Sequence, residues 1–314
     1  MNKNIKTYFD KSRFLTTKNK TYAETCLQLF DFLTKNDVSE NDMTSQLIKG
    51  KYKNHQAYIS ACELGIVAGI EDVVYLIKKR TDLKVKIISK DGTVIKEKDL
   101  LLELTGNPLE ILQFERTILN ILARMSGIAT YVNYLIKKNN LKTSLAATRK
   151  TLWGLLDKKA VSIGGGLTHR LSLSDEILMK DNHIDIMAKN LHLSRLESLE
   201  KILTFIKNSQ TKRPFEIEVE TEKEAYFLNN FYQETNIPAP LIIMLDNFEP
   251  SIAIKTIRTI RGQKGGSKII FELSGGINEN NIKDYDKVRA DVLSIGALTH
   301  SAKALDISLK LNSP

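Results

Sequence analysis

Six short β-rich runs in the second half of the chain end abruptly in polar or glycine residues. SLAATRK (144–150) closes on Arg149 and Lys150, EILMKDNH (176–183) supplies Lys180 and Asp181, FEIEVE (215–220) supplies Glu218, and LIIMLDN (241–247) supplies Asp246. KIIFELSGG (268–276) delivers Ser274, Gly275 and Gly276, while DVLSIGA (291–297) delivers Gly296 and Ala297. GGGLTHR (164–170) adds Arg170 behind three consecutive glycines. Several cations in one pocket suit a polyanion, because charge-assisted contacts to carboxylate or phosphate are strong where water is excluded. Carboxylates beside phosphate-binding groups ordinarily hold Mg2+ rather than phosphate. Glycines after late strands seat phosphate on backbone N–H groups.

Each residue alone has an ordinary reading. A single lysine or arginine at a strand end is usually a solvated charge, and a glycine pair is usually a turn. Glu216, Glu218 and Glu220 alternate, so they share one side of a strand. Inside a barrel they would need cations or a metal; otherwise their face meets solvent. The GGG run reads either as a backbone phosphate cradle or as a hinge that places His169 and Arg170. GGGLTHR lacks the lysine and hydroxyl of a P-loop, and the chain contains neither GxSxG nor HExxH. The signal lies in the coincidence of the strand ends.

Buried hydrophobic strands alternating with helical text such as SRLESLEKILTFIKN predict a parallel sheet. Repeated units whose strands finish in charged or glycine residues predict an α/β barrel with its site at the C-terminal rim. With about six or seven units the barrel is incomplete, and an open doubly wound sheet is the alternative. Upstream, residues 20–36 have helical spacing, and 56–104 are of extended character around the helix GIEDVVYLIKKR, with a turn at KDGT (90–93). Asn107-Pro108-Leu109-Glu110 opens the clearest helix with a cap, an early proline and a capping-box glutamate. Ile111, Phe114, Ile118, Leu122 and Met125 form its apolar stripe, and Gly127 can end it. Arg116, Asn120 and Arg124 stand four apart on a polar face that spacing alone assigns to solvent.

The 314 residues leave room for one large or two ordinary domains. Forty-six Lys and Arg against 37 Asp and Glu leave a charge of +9, which favours anionic partners. Nucleic acid is one such class, but its binders cluster basic residues with exposed aromatics. Here the lysines are scattered and many cations sit at strand ends, so no nucleic-acid partner is expected. Cys26 and Cys62 make no CxxC pair, no apolar run is long enough to cross a bilayer, and the N-terminus has no signal-peptide core. These features predict a cytoplasmic protein with no membrane partner.

FERTILNILARMSGIAT (114–130) resembles the signature of the quinolinate phosphoribosyltransferase family. TRKT (148–151), GGGLTHRLSLSDEILMKDNH (164–183), IEVE (217–220), MLDN (244–247), ELSGGI (272–277) and SIGALTHS (294–301) resemble that family's motifs in its order. NDMTSQLI (41–48) and ACELGIVAGIE (61–71) resemble its N-terminal pattern. The resemblance implies an N-terminal α/β sandwich over residues 1–125, with 300–314 packed on it, and an incomplete α/β barrel over 126–299. It implies phosphoribosyl transfer from phosphoribosyl pyrophosphate to quinolinate with decarboxylation, Mg2+ as cofactor, and a homodimer or higher oligomer with shared sites.

By motif, Arg149, His169, Arg170 and Lys180 would bind quinolinate, with Arg116 reaching in from the neighbouring subunit. Lys150 would face the pyrophosphate, which Lys180 would also contact. Glu218 and Asp246 fall where the family places ribose- and Mg2+-contacting acids, which makes Lys150, Glu218 and Asp246 the expected catalytic set. Ser274, Gly275, Gly276, Gly296, Ala297 and His300 would surround the 5′-phosphate. One stretch departs from the family. After TRKT the usual threonine-proline-glycine-leucine-arginine turn is replaced by LWGLLDKKAV, two residues shorter, with Trp153 for proline and no arginine after Gly154-Leu155. Substrate preference therefore turns on this loop, and a relative with a changed aromatic acceptor, like the homologues associated with molybdenum transport, is the alternative reading. The first 40 residues receive no chemistry.

Overall fold

Alternating burial along residues 55–106 builds an antiparallel sheet. Its strands are β1 (His55–Ala61), β3 (Lys84–Ile87) and β5 (Leu100–Gly106), with the short pair β2 (Gly65–Ile66) and β4 (Val94–Ile95) forming a separate two-stranded ladder. The fourth strand, Ile307–Leu311, pairs antiparallel with β1 at the sheet's edge. Ala57, Ile59 and Ala61 of β1 and Leu102 and Leu104 of β5 are fully or almost fully buried, the period of two that a half-covered sheet requires. The computed structural model describes residues 3–38, 42–48, 50 and 52–311. Asn41 of NDMTSQLI and residues 312–314 lie outside them.

This sheet belongs to one of two compact units, made of Lys11–Ile136, Arg149–Thr168 and the stretch from Gly296 onward. The long helix Pro108–Asn139, which belongs to this unit as far as Ile136, does not stop at Gly127. A side chain at Gly127 would collide with the carbonyl oxygen of Lys303, so the missing Cβ serves a close backbone approach inside a continuous helix. Helix Lys20–Asp37 matches the spacing expected over 20–36, and Asn19 caps it by accepting from Tyr22 N–H at 3.1 Å.

The second unit comprises the stretch up to Asp10, Lys137–Thr148 and His169–Ile295. All six predicted strands form in it: β6 (Ser144–Ala147), β7 (Ile177–Met179), β8 (Phe215–Val219), β9 (Leu241–Asp246), β10 (Ile270–Ser274) and β11 (Val292–Ile295). They pair in parallel in the order β6-β11-β10-β9-β8-β7, with β6 and β7 as open edges, so the ring stays incomplete as expected. Residues facing each other across a parallel ladder share a sheet face. One face is apolar throughout: Ile217 and Val219 neighbour Ile243 and Leu245, which neighbour Phe271 and Leu273. The other face carries Glu216 and Glu218 on β8, Met244 and Asp246 on β9, Glu272 and Ser274 on β10, and Ser294 on β11. That segregation decides where chemistry can sit.

Candidate active site

At the C-terminal edge of the polar face, register brings predicted residues together. Met179 lies opposite Ile217, so Lys180 falls beside Glu218, and the lysine ammonium is ion-paired to the buried Glu218 carboxylate. Asp246 is the last residue of β9 and lies opposite Ser274 of β10. Asn247 ties the two ends: its N–H donates to the Ser274 carbonyl at 2.9 Å, and its amide donates to Asp246 Oδ2 at 2.6 Å. Gly275 and Gly276 follow with φ of 87° and 64°, a left-handed turn that glycine adopts without penalty. A Cβ on Gly275 would strike the Asn247 side chain, so that glycine is also demanded by space.

Deeper on the same face lies a cluster that the motif reading did not foresee. His169 is 4% exposed, with Nδ1 at 3.0 Å from Glu176 Oε1 and Nε2 at 3.4 Å from Glu216 and 3.7 Å from Glu272. Its backbone has φ 51° and its N–H donates to the Phe9 carbonyl at 2.7 Å. Burial, then the charges of Glu272 and Glu176, push the Glu216 carboxyl well above the usual carboxylate range. Burial also pushes Glu272 up, against the opposing pull of His169 and a hydrogen bond from Ser294. Donor atoms of His169, Glu216 and Glu272 lie within 4.8 Å of one another, close enough to share protons or a cation. Glu216 and Glu218 thus take the interior reading of FEIEVE, while Glu220 is exposed. Arg170 is 5% exposed, and its guanidinium lies 3.5 Å from the Glu176 carbonyl. Glu176 and Glu272 were missed because nothing local marks them; Glu272 shares the parity of Ser274, and that was the available sign.

In the other unit, Lys150, Gly296 and His300 come together. A Cβ on Gly296 would lie 3.0 Å from Lys150 Cδ and 3.1 Å from His300 Nε2, so the lysine stem and the imidazole both cross bare backbone there. Thr299 Oγ1 donates to the Lys150 carbonyl at 2.8 Å. Arg149, Lys150 and His300 are exposed and Ala297 half-buried. The polar face of helix Pro108–Asn139 is divided. Arg116 and Asn120 are exposed, with Glu115 at 3.9 Å from the Arg116 guanidinium. Arg124 instead forms a bidentate pair with the fully buried Asp157, at 3.1 and 2.8 Å.

The three glycines of GGGLTHR do not cradle an anion. Their N–H groups donate to the carbonyls of Ala160, Ser162 and Val161, closing helix Leu155–Ile163. Gly164 and Gly166 leave room for Ala129, Val132 and Val161 at tight range. The run is a compact helix stop ahead of His169.

A family model described as quinolinate phosphoribosyl transferase, N-terminal domain, matches residues 42–126, and one described as its C-terminal domain matches residues 128–310. The chain is 38% identical over 282 residues to the probable nicotinate-nucleotide pyrophosphorylase (carboxylating) of Methanocaldococcus jannaschii, covering 88% of this chain and 93% of that one. It is 37% identical over 264 residues to the protein of the same description from Archaeoglobus fulgidus, covering 82% and 95%. The solved nicotinate-nucleotide pyrophosphorylase of Francisella tularensis superposes with a TM-score of 0.75 at 30% identity, over 92% of this chain and 96% of that one.

Proposed function

The chain belongs to the quinolinate phosphoribosyltransferase family, and on that premise we propose how its residues divide the work. It transfers the phosphoribosyl group of phosphoribosyl pyrophosphate to quinolinate with loss of CO2, a step of NAD synthesis. The observation that carries the assignment of roles is the row of Lys180, Glu218, Asp246 and Ser274 along one edge of one sheet face. In that unit Arg170 and Lys180 would meet the carboxylates of the acceptor, with His169 and its acids beneath them. Ser274, Gly275 and Gly276 would receive the 5′-phosphate. In the other unit Lys150 would meet the pyrophosphate, Gly296, Ala297 and His300 would add phosphate contacts, and Arg149 would serve the acceptor. Arg116, exposed on its helix, would complete the site of a neighbouring subunit in a homodimer.

The chemistry needs preorganised charge more than proton transfer. As pyrophosphate departs, positive charge develops at the anomeric carbon, and Glu218 and Asp246 would stabilise it while the pyridine nitrogen attacks. The resulting pyridinium accepts the electron pair left when CO2 departs. Glu218 and Asp246 offer only carboxylate oxygens, and Asp246 is half-buried at a strand end, a donor set that fits a partly hydrated Mg2+. The buried set with a His169 nitrogen does not fit such an ion. When bound, Mg2+ supplies charge neutralisation of the leaving pyrophosphate. Among the described residues no helix is long and apolar enough to cross a membrane.

The test is an assay with phosphoribosyl pyrophosphate, Mg2+ and either quinolinate, nicotinate or other pyridine acids. CO2 release from quinolinate labelled at its 2-carboxylate is expected. Turnover of another acceptor without CO2 release from quinolinate would replace this reading with the changed-acceptor one.

A further inference from the structure

We infer that Thr299, Arg124 and Asp157 are positioning residues that hold Lys150 against Gly296 and His300 for pyrophosphate-bearing substrate. The inference rests on the phosphate-binding role proposed for those three groups.

The stretch that carries Lys150 forms no regular element. Residues 149–154 belong to no helix or strand, and the segment after Gly296 is a helix of only four residues, Ala297–His300. So short a helix cannot hold itself in water. Both segments are tied by hydrogen bonds that run through buried side chains. Thr299, fully buried, donates its hydroxyl to the Lys150 carbonyl at 2.8 Å. Its own carbonyl accepts from Arg124 Nη2 at 2.7 Å. Arg124 is locked by Asp157, whose Oδ2 also accepts the N–H groups of Leu152 and Trp153 at 2.9 and 3.1 Å. One carboxylate therefore fixes the loop after Lys150 directly and the segment after Gly296 through a guanidinium. The Trp153 ring lies 6.0 Å from the Arg124 guanidinium and adds cover over the pair. The LWGLLDKKAV loop that departs from the family pattern contributes Trp153 and Asp157 to this brace.

Stability alone is a poor reason for such a design. A buried ion pair is often no better for the fold than well-packed apolar residues of like volume. Its planar fork does fix angles, as a lysine would not. Transfer chemistry is sensitive to that, since a displacement of about 1 Å can cost on the order of a hundredfold in rate.

The test uses the full-length protein with phosphoribosyl pyrophosphate and Mg2+, and thermal melting for the fold. Thr299→Val removes the hydroxyl at nearly constant volume. The expected result is a fall in kcat/KM for phosphoribosyl pyrophosphate of about tenfold or more, from the lost hydrogen bond to the Lys150 carbonyl. Thr299→Ser, which keeps the donor, should recover most of the loss. In a Lys150→Met background, Thr299→Val should add less than about threefold, because residues acting through one another are not additive. Arg124→Lys, which keeps the charge and breaks the fork, should reproduce the loss if Thr299→Val does not fold. Unchanged kcat/KM in a folded Thr299→Val protein, or full additivity with Lys150→Met, would overturn the inference. Unchanged kcat/KM in Lys150→Met itself would instead sink the phosphate-site assignment on which it rests.

Discussion

Replacing Glu272 by glutamine should stabilise the fold increasingly as pH rises. Glu272 and Glu216 are fully buried, next to each other and to His169. Their ligating atoms lie within 4.8 Å of each other, so two ionised carboxylates would repel by about 3 kcal/mol at an effective dielectric of about 20. Burial adds to that cost, and both groups are pushed up from the ordinary carboxylate range. The sign follows. An acid held protonated in the fold but ionised in the unfolded chain means that the folded state binds more protons, so stability falls as pH rises. The contribution is whole below the unfolded value near 4.3 and declines above it by about 1.4 kcal/mol per pH unit per retained proton. Glu272→Gln removes one such group. Its stability should therefore fall less steeply with pH, and by pH 8 it should exceed the parent by up to about 3 kcal/mol, the repulsion relieved. Urea unfolding at pH 5, 6, 7 and 8, followed by far-ultraviolet circular dichroism, measures this. Parallel stability profiles, or a variant less stable than the parent at pH 8, would refute the buried-acid reasoning.

Glu218→Gln keeps the shape at the end of β8 but removes the charge paired with Lys180; steady-state assays should show kcat lower by about 10²–10³, the usual cost of losing one preorganised electrostatic group. Arg116→Ala should melt normally yet lose quinolinate turnover, and mixed dimers with Arg149→Ala should regain part of it; confirmed mixed dimers with no recovery would remove the shared-site proposal. Lys159 is 7% exposed and pairs with the fully buried Asp72 at 2.9 Å and with Glu71 at 2.7 Å. Lys159→Met should cost about 3–5 kcal/mol in urea unfolding by stranding a buried carboxylate, and adding Asp72→Leu should return much of it.

Local pattern carried far. The six strands of the parallel sheet, the helix begun at Pro108 and the strand-end positions of Lys180, Glu218, Asp246 and Ser274 are all readable from residue type and spacing. Parity along a strand is a covalent property, so Glu216 and Glu218 had to share a face whatever surrounded them. Which environment that face met was not a local matter. Glu216 and Glu220 have the same parity, but Glu216 is buried near Glu272 and Glu220 is exposed. Arg116 and Arg124 lie on one helical stripe, yet only Arg124 meets a buried acid, 33 residues away in sequence. Gly127 has the type of a helix stop and continues a helix, because the Lys303 carbonyl occupies the place of its side chain. In GGGLTHR the glycines could serve an anion or a hinge that places His169 and Arg170, and their N–H groups are taken by the helix that precedes them. Periodicity and backbone permissiveness act within a few residues, and so sequence determines elements and faces. Burial, ion pairing and the use of a free N–H depend on groups supplied by distant segments, and the tertiary structure alone decides among them.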